Sequence, residues 1–149
     1  TMQSDVRFHN IGATEGMHVM THDDRGLDTK LDPQLERLND VLVYLMGEFS
    51  YLLAELDKVP FGDGTLLDRC CVMATSEVED GTRHKYDSMP LLLAGGAGGK
   101  LATGLHVNGN GAKATQVLLT VLRAVGHDLP SFGDEIAYTD KIVEDIWRG

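Results

Sequence analysis

Positive charge is scarce in this chain: 13 Lys and Arg stand against 23 Asp and Glu, for a formal net charge of -10. That balance argues against a nucleic-acid binder, which must neutralise phosphates with a basic face, and favours solubility and metal cations. Cysteine is scarce too. The two present, Cys70 and Cys71, are adjacent, so in a strand their side chains point to opposite faces. They make poor partners for an ordinary disulfide and read as buried thiols, a usage that permits a reducing compartment. No apolar run approaches the roughly 18 residues of a membrane span, and no charged leader with an apolar core opens the sequence. Nucleophile settings are missing as well. No G-x-S-x-G surrounds a serine, and no GK[ST] follows the glycines after Leu93, which removes the phosphate-loop pattern. Any hydrolytic nucleophile is therefore water or lies outside this chain.

What is present fits one α/β domain. A chain of 149 residues buries roughly two-thirds of its unfolded surface without staples. Residues 1–30 are polar and irregular, with one candidate strand around Asp5 to Asn10 and then a loop holding His18, His22, Asp23 and Asp24. Residues 31–149 carry the core. Leu35, Leu38, Leu42, Leu45, Phe49, Leu52, Leu53 and Leu56 recur three or four apart, which predicts a helix over about 33–58. Asp32 and Pro33 start it, and Pro60 with Gly62-Asp63-Gly64 ends it. Tyr51 and Leu52 broaden the stripe, so the helix is expected to lie against a sheet. The runs Cys70 to Thr75 and Pro90 to Ala94 read as neighbouring central strands covered on both faces. Glycines from Gly95 to Gly111 predict a tight loop region, with phosphate cradling by successive backbone N–H groups as the lesser reading, and a short edge strand near Lys100 to Thr103. Ala112 to Val125 returns to helical spacing with Gly126 as its C-cap, and a short helix is expected near Asp140 to Trp147. The order helix, strand, strand, helix implies a layered α/β arrangement. So few strands leave sheet edges open, which suggests a partner chain, a homo-oligomer among the options, or a missing part of a larger domain.

The chemistry concentrates behind the first strand, in Ser76-Glu77-Val78-Glu79-Asp80-Gly81-Thr82-Arg83-His84. Open α/β sheets keep binding sites at strand C-terminal edges. His18 and His22, four apart, join Glu77, Asp80 and His84 in offering imidazole nitrogen and carboxylate oxygen, the ligand types of zinc, manganese and iron sites. A divalent cation binds an anionic substrate oxygen and lowers the pKa of water. Glu77 directly follows the strand and is the favoured carboxylate; Glu79 reads as solvent-facing. Asp87 suits either an acceptor orienting an imidazole or a turn cap. The opposing reading is that these polar residues solvate two loops. His106 and His127 read as ordinary surface or turn positions.

Three segments carry a resemblance: Glu15-Gly16-Met17-His18-Val19-Met20-Thr21-His22-Asp23, Gly62 to Asp68, and Ser76-Glu77 through Asp80-Gly81 to His84. Met89 to Gly99 and Ser131-Phe132-Gly133-Asp134 add to it. Together they resemble the C-terminal part of the HxxSHH-motif proteins, a bacterial family defined as a domain of unknown function, over most of residues 12–135. His18 matches the first histidine of the motif, Thr21 its serine and His22 the next histidine, while Asp23 stands where the last histidine belongs and can still ligate a metal. Family members are much longer and commonly begin with an export signal, so the resemblance implies a C-terminal portion of a periplasmic or extracellular protein. The family is in turn distantly similar to the alkaline phosphatase and sulfatase superfamily, with its three-layered fold and two-metal site. That likeness implies His18 and His22 as one ligand pair, Glu77 as the strand-end acid and His84 as the late histidine. Nothing here matches the superfamily's nucleophile.

The expected function is the metal-site part of a phosphatase- or sulfatase-like hydrolase of small anionic esters, catalytically incomplete in this chain. Its expected metal-ligand set is His18, His22, Asp23, Glu77, Asp80 and His84. The alternative is a non-catalytic cell-surface or periplasmic module, binding or structural, in which the histidines and acids scaffold loops.

Overall fold

A computed structural model describes residues 6–22 and 33–149. The chain is a mixture of helices and small sheets, of the general α/β kind. The helices are α1 (Met17–Thr21), α2 (Pro33–Asp57), α3 (Leu66–Arg69) and α4 (Ala114–Ala124), and the strands β1 (Pro60–Phe61), β2 (Gly64–Thr65), β3 (Val72–Thr75) and β4 (Leu91–Ala94). Single 3-10 turns occupy His9–Ile11, Ala97–Gly99, Glu135–Ala137 and Glu144–Ile146. The residues divide into two compact units, the first made of 1–51 with 78–86 and the second of 52–77 with 87–149.

In the first unit, Phe8 and Ala13 form a bridge around the 3-10 turn. The chain reverses there through Gly12, whose φ is +76°. Met17 N–H then donates to the Val6 carbonyl at 2.9 Å, setting the start of α1. Ala13, Met20 and Val41 are buried together, with Phe8, Ile11, Met17 and Leu45 packed around them. The Phe8 and Tyr44 rings meet edge to face, 5.8 Å apart, a favourable aromatic geometry. The α2 stripe is narrower than the leucine pattern predicts. Leu38, Val41, Leu45, Phe49, Leu53 and Leu56 turn inward, whereas Leu42, Tyr51 and Leu52 are exposed. Val41, fully buried, packs on Ala13 and Met20.

In the second unit, β1 and β2 pair antiparallel across Gly62-Asp63, with Gly62 at φ +64°. This tight hairpin follows Asp57, where α2 ends as expected near Pro60. Thr65 caps α3: its hydroxyl accepts from Asp68 N–H at 3.3 Å, and Thr65 N–H donates to Asp68 Oδ2 at 2.8 Å. This is a capping box with Asp in the acidic position. Strands β3 and β4 are neighbours, as the sequence predicts, but antiparallel, with Val72 opposite Ala94 and Thr75 opposite Leu91. They form a sheet of two strands and alternate half-buried with exposed residues along β3. The expectation of strands covered on both faces is therefore corrected. Met73 and Leu92 are both exposed; Leu92 stands opposite Ala74 and Met73 opposite Leu93, so the two lie on opposite faces and each face leaves a large side chain in the open.

The glycine stretch begins with a close approach. Gly95 sits at φ +89°, and a Cβ there would run into the Cys70 carbonyl and lie 2.6 Å from the Leu67 carbonyl. Ala97, Leu101 and Ala124 are buried together, with Cys71, Ile146 and Trp147 against them. Near Lys100 to Thr103 the predicted edge strand is a single bridge, Leu101 to Trp147. The helix α4 matches its predicted span to within two residues, and Gly126 follows at φ +100°. The helix expected near Asp140 to Trp147 is one 3-10 turn.

Candidate metal centre

The predicted loop around His18 is in fact helical. Gly16 precedes α1 in an extended conformation, and the five-residue helix places residues four apart on one face. His18 and His22 thereby meet, Nε2 to Nε2 at 3.1 Å. The segment Val78–Tyr86 supplies the third ring. Its ends pair as Asp80 with Lys85, and His84 occupies the left-handed region at φ +52°, which histidine tolerates better than most residues. His84 Nε2 lies 3.0 Å from His22 Nε2, although the two are 62 positions apart in sequence. Ring nitrogens of all three lie within 4.8 Å of one another.

Hydrogen bonding alone accounts poorly for this triad. A neutral ring nitrogen carries one proton or one lone pair, so His22 Nε2 cannot both donate to one neighbour and accept from the other. Full protonation would set three cations against each other. A cation bound by three neutral imidazoles resolves the conflict, since Zn–N bonds of 2.0–2.1 Å in tetrahedral geometry put ligand nitrogens about 3.3 Å apart. The rings are splayed, with interplanar angles of 78°, 62° and 41°, as befits edges that converge on a point. His18 is half-buried while His22 and His84 are exposed, leaving one side of the triad open to solvent.

The other expected ligands have different surroundings. Asp80 Oδ1 accepts from Thr82 N–H at 3.0 Å and Arg83 N–H at 3.2 Å, an Asx-type cap that forms the turn carrying His84. Glu77 follows β3 in the second unit and is exposed; neither it nor Asp80 belongs to the triad. Asp87 is also in the second unit and exposed, as are His106 and His127. Asp23 lies outside the described residues. Cys70 and Cys71 are free thiols. Burial, then the neighbouring Cys70, pushes the Cys71 thiol above its ordinary value. That shift leaves less reactive thiolate.

Sequence reasoning overlooked how much Gly81 and Thr82 do, and it noted Thr21 only for its place in a motif. Thr21 Oγ1 donates to the His18 carbonyl at 2.7 Å, and the Thr21 carbonyl accepts from Thr82 Oγ1 at 2.7 Å. The available signal was Asp80-Gly81-Thr82, a turn sequence directly before a histidine. In the second unit a cleft of about 270 Å³ is lined by Lys113, Gln116, Tyr138 and Lys141 among others; Lys113 Nζ is already engaged by the Tyr138 carbonyl at 2.8 Å. Among the described residues no helix is long and apolar enough to cross a membrane. Neither a family model, nor a curated protein, nor a solved structure matches the chain.

Proposed function

We propose that His18, His22 and His84 hold one divalent cation, and that this centre is the metal site of a hydrolase acting on small anionic esters of phosphate or sulfate. The observation that carries the reading is the meeting of three imidazole Nε2 edges from segments 62 positions apart. An all-nitrogen set suits zinc or iron over manganese, which prefers oxygen ligands. A cation with three protein ligands keeps a coordination position for water or substrate and lowers the pKa of that water toward ~7. The chain's own part is to hold the three ring nitrogens convergent, and to keep the open side accessible. The resemblance to the HxxSHH-motif proteins supports the same reading and adds export to the periplasm or cell surface. The second reading is a non-catalytic module, in which the cation ties α1 to residues 78–86. The exposure of His22 and His84 and the lack of a nucleophile setting favour it.

Elemental analysis of the purified chain, beside His22→Ala and His84→Ala, tests the centre. Near-stoichiometric zinc or iron that both variants lose is the expected result. A wild-type chain that carries none after metal addition ends the reading. Turnover of p-nitrophenyl phosphate or p-nitrophenyl sulfate by the loaded protein, lost in both variants, would favour the hydrolase over the structural module, whereas a catalytically incomplete chain binds the cation without turnover.

A further inference from the structure

The two halves of the triad are brought together by groups that touch no ligand nitrogen. Gly81 lies against Thr21 so closely that a Cβ on Gly81 would stand 2.7 Å from Thr21 Cβ and 3.0 Å from its Oγ1. Real side chains do not approach so near, and Thr21 is branched at Cβ and cannot swing clear. One residue on, Thr82 Oγ1 donates to the Thr21 carbonyl at 2.7 Å. Thr21 lies between His18 and His22 in sequence, and its own hydroxyl is tied back to the His18 carbonyl. Beyond Thr82, Asp80 Oδ1 gathers the Thr82 and Arg83 N–H groups, and the next residue is His84. The Thr21 carbonyl on the α1 side and the bare Gly81 surface on the 78–86 side thus fix the distance from which the third imidazole reaches the other two.

We propose that Gly81 and Thr82 are positioning residues for the metal centre: docked on Thr21, they set His84 at ligating distance from His18 and His22. The inference rests on the metal reading above and adds the determinant of its third ligand. Without the docking, the turn still forms through Asp80, but His84 loses its fixed place and the cation keeps only the His18–His22 pair. Thr82 requires a hydroxyl, so serine replaces it and the near-isosteric valine does not. Gly81 requires the absence of a side chain.

Co²⁺ binding to the metal-free chain, followed by its visible absorption, tests this with wild type, Gly81→Ala, Thr82→Val, Thr82→Ser and His84→Ala. Losing a group that orients a ligand costs about 10- to 100-fold in metal affinity, so Thr82→Val and Gly81→Ala are expected to bind that much more weakly than wild type, with Thr82→Ser near wild type. Adding His84→Ala to Thr82→Val is expected to cost far less than His84→Ala alone, because the two act through one ligand. A general loss of stability would not produce that coupling. If His84→Ala weakens binding while Thr82→Val and Gly81→Ala match wild type, the docking role is overturned and the metal centre stands. A wild-type chain that binds no Co²⁺ overturns the centre itself and the docking role with it. Should Gly81→Ala fail to fold, the Thr82→Val and Thr82→Ser pair decides the matter.

Discussion

Thr120 shows how much one side chain can hold. It is fully buried in α4, donates to the Gln116 carbonyl at 2.6 Å and accepts from Val143 N–H at 2.9 Å. Its hydroxyl thereby fastens the C-terminal segment to the helix. Thr120→Val keeps the shape and strands that N–H, a loss of about 1–3 kcal/mol, read as a lower denaturant midpoint; Thr120→Ser retains the bond and is expected to lose less. No periodicity announces such a residue, since threonine at a helix position looks like surface until its acceptor role is seen. The same blindness applied to Asp80. A carboxylate behind a strand reads alike as a metal ligand or as the cap of a turn, and here it caps. His18 and His22 were legible as metal-ligating residue types four apart, but the helix that turns them to one face was not, since the sequence read them on a loop; His84 was legible because it follows a short apolar run.

Elements with a long repeat or a bounded apolar run were legible, and those with neither were not. The α2 and α4 spans followed from apolar spacing, and β3 and β4 from short apolar runs bounded by turn residues. Whether those strands lay on a covered or an open sheet was not legible, because a run of four apolar residues satisfies either. The five-residue α1 has too few turns to show a period. The smallest helix, α3, depends on its cap, which makes it sensitive to pH. Hydrogen bonds from the Thr65 backbone and then its hydroxyl hold the Asp68 carboxyl below its ordinary 3.8, with Arg69 adding to the effect against slight desolvation. A depressed folded pKa means that the ionised form favours the folded state. The stabilisation is complete above the unfolded value near 3.8 and is lost as pH falls through the lower folded one. Melting temperature is therefore expected to drop with acid below about pH 4, and Asp68→Asn to flatten that part of the profile. The effect is modest for so exposed a group.

At the scale of the whole molecule, the first unit is made from two stretches of chain, 1–51 and 78–86, and the triad joins them. A cation at His18, His22 and His84 spans 62 positions and so closes a long loop. For a covalent cross-link of that length the chain-entropy account gives ~4 kcal/mol, an upper guide for a metal clip. Removing the cation with a chelator is expected to lower the melting temperature, and His84→Ala to abolish that response. Unequal effects of zinc on variants within and outside residues 78–86 would show where the linkage acts.

The left-handed backbone at His84 has a consequence of its own. A histidine held at φ +52° gives up conformational freedom, and that loss is borne whether or not a cation is present. Binding then adds RT ln(1 + [metal]/Kd) to folding stability, ~2.7 kcal/mol at a hundredfold excess over Kd. With the proposed cation bound, the fraction of folded chain would follow the free metal around it.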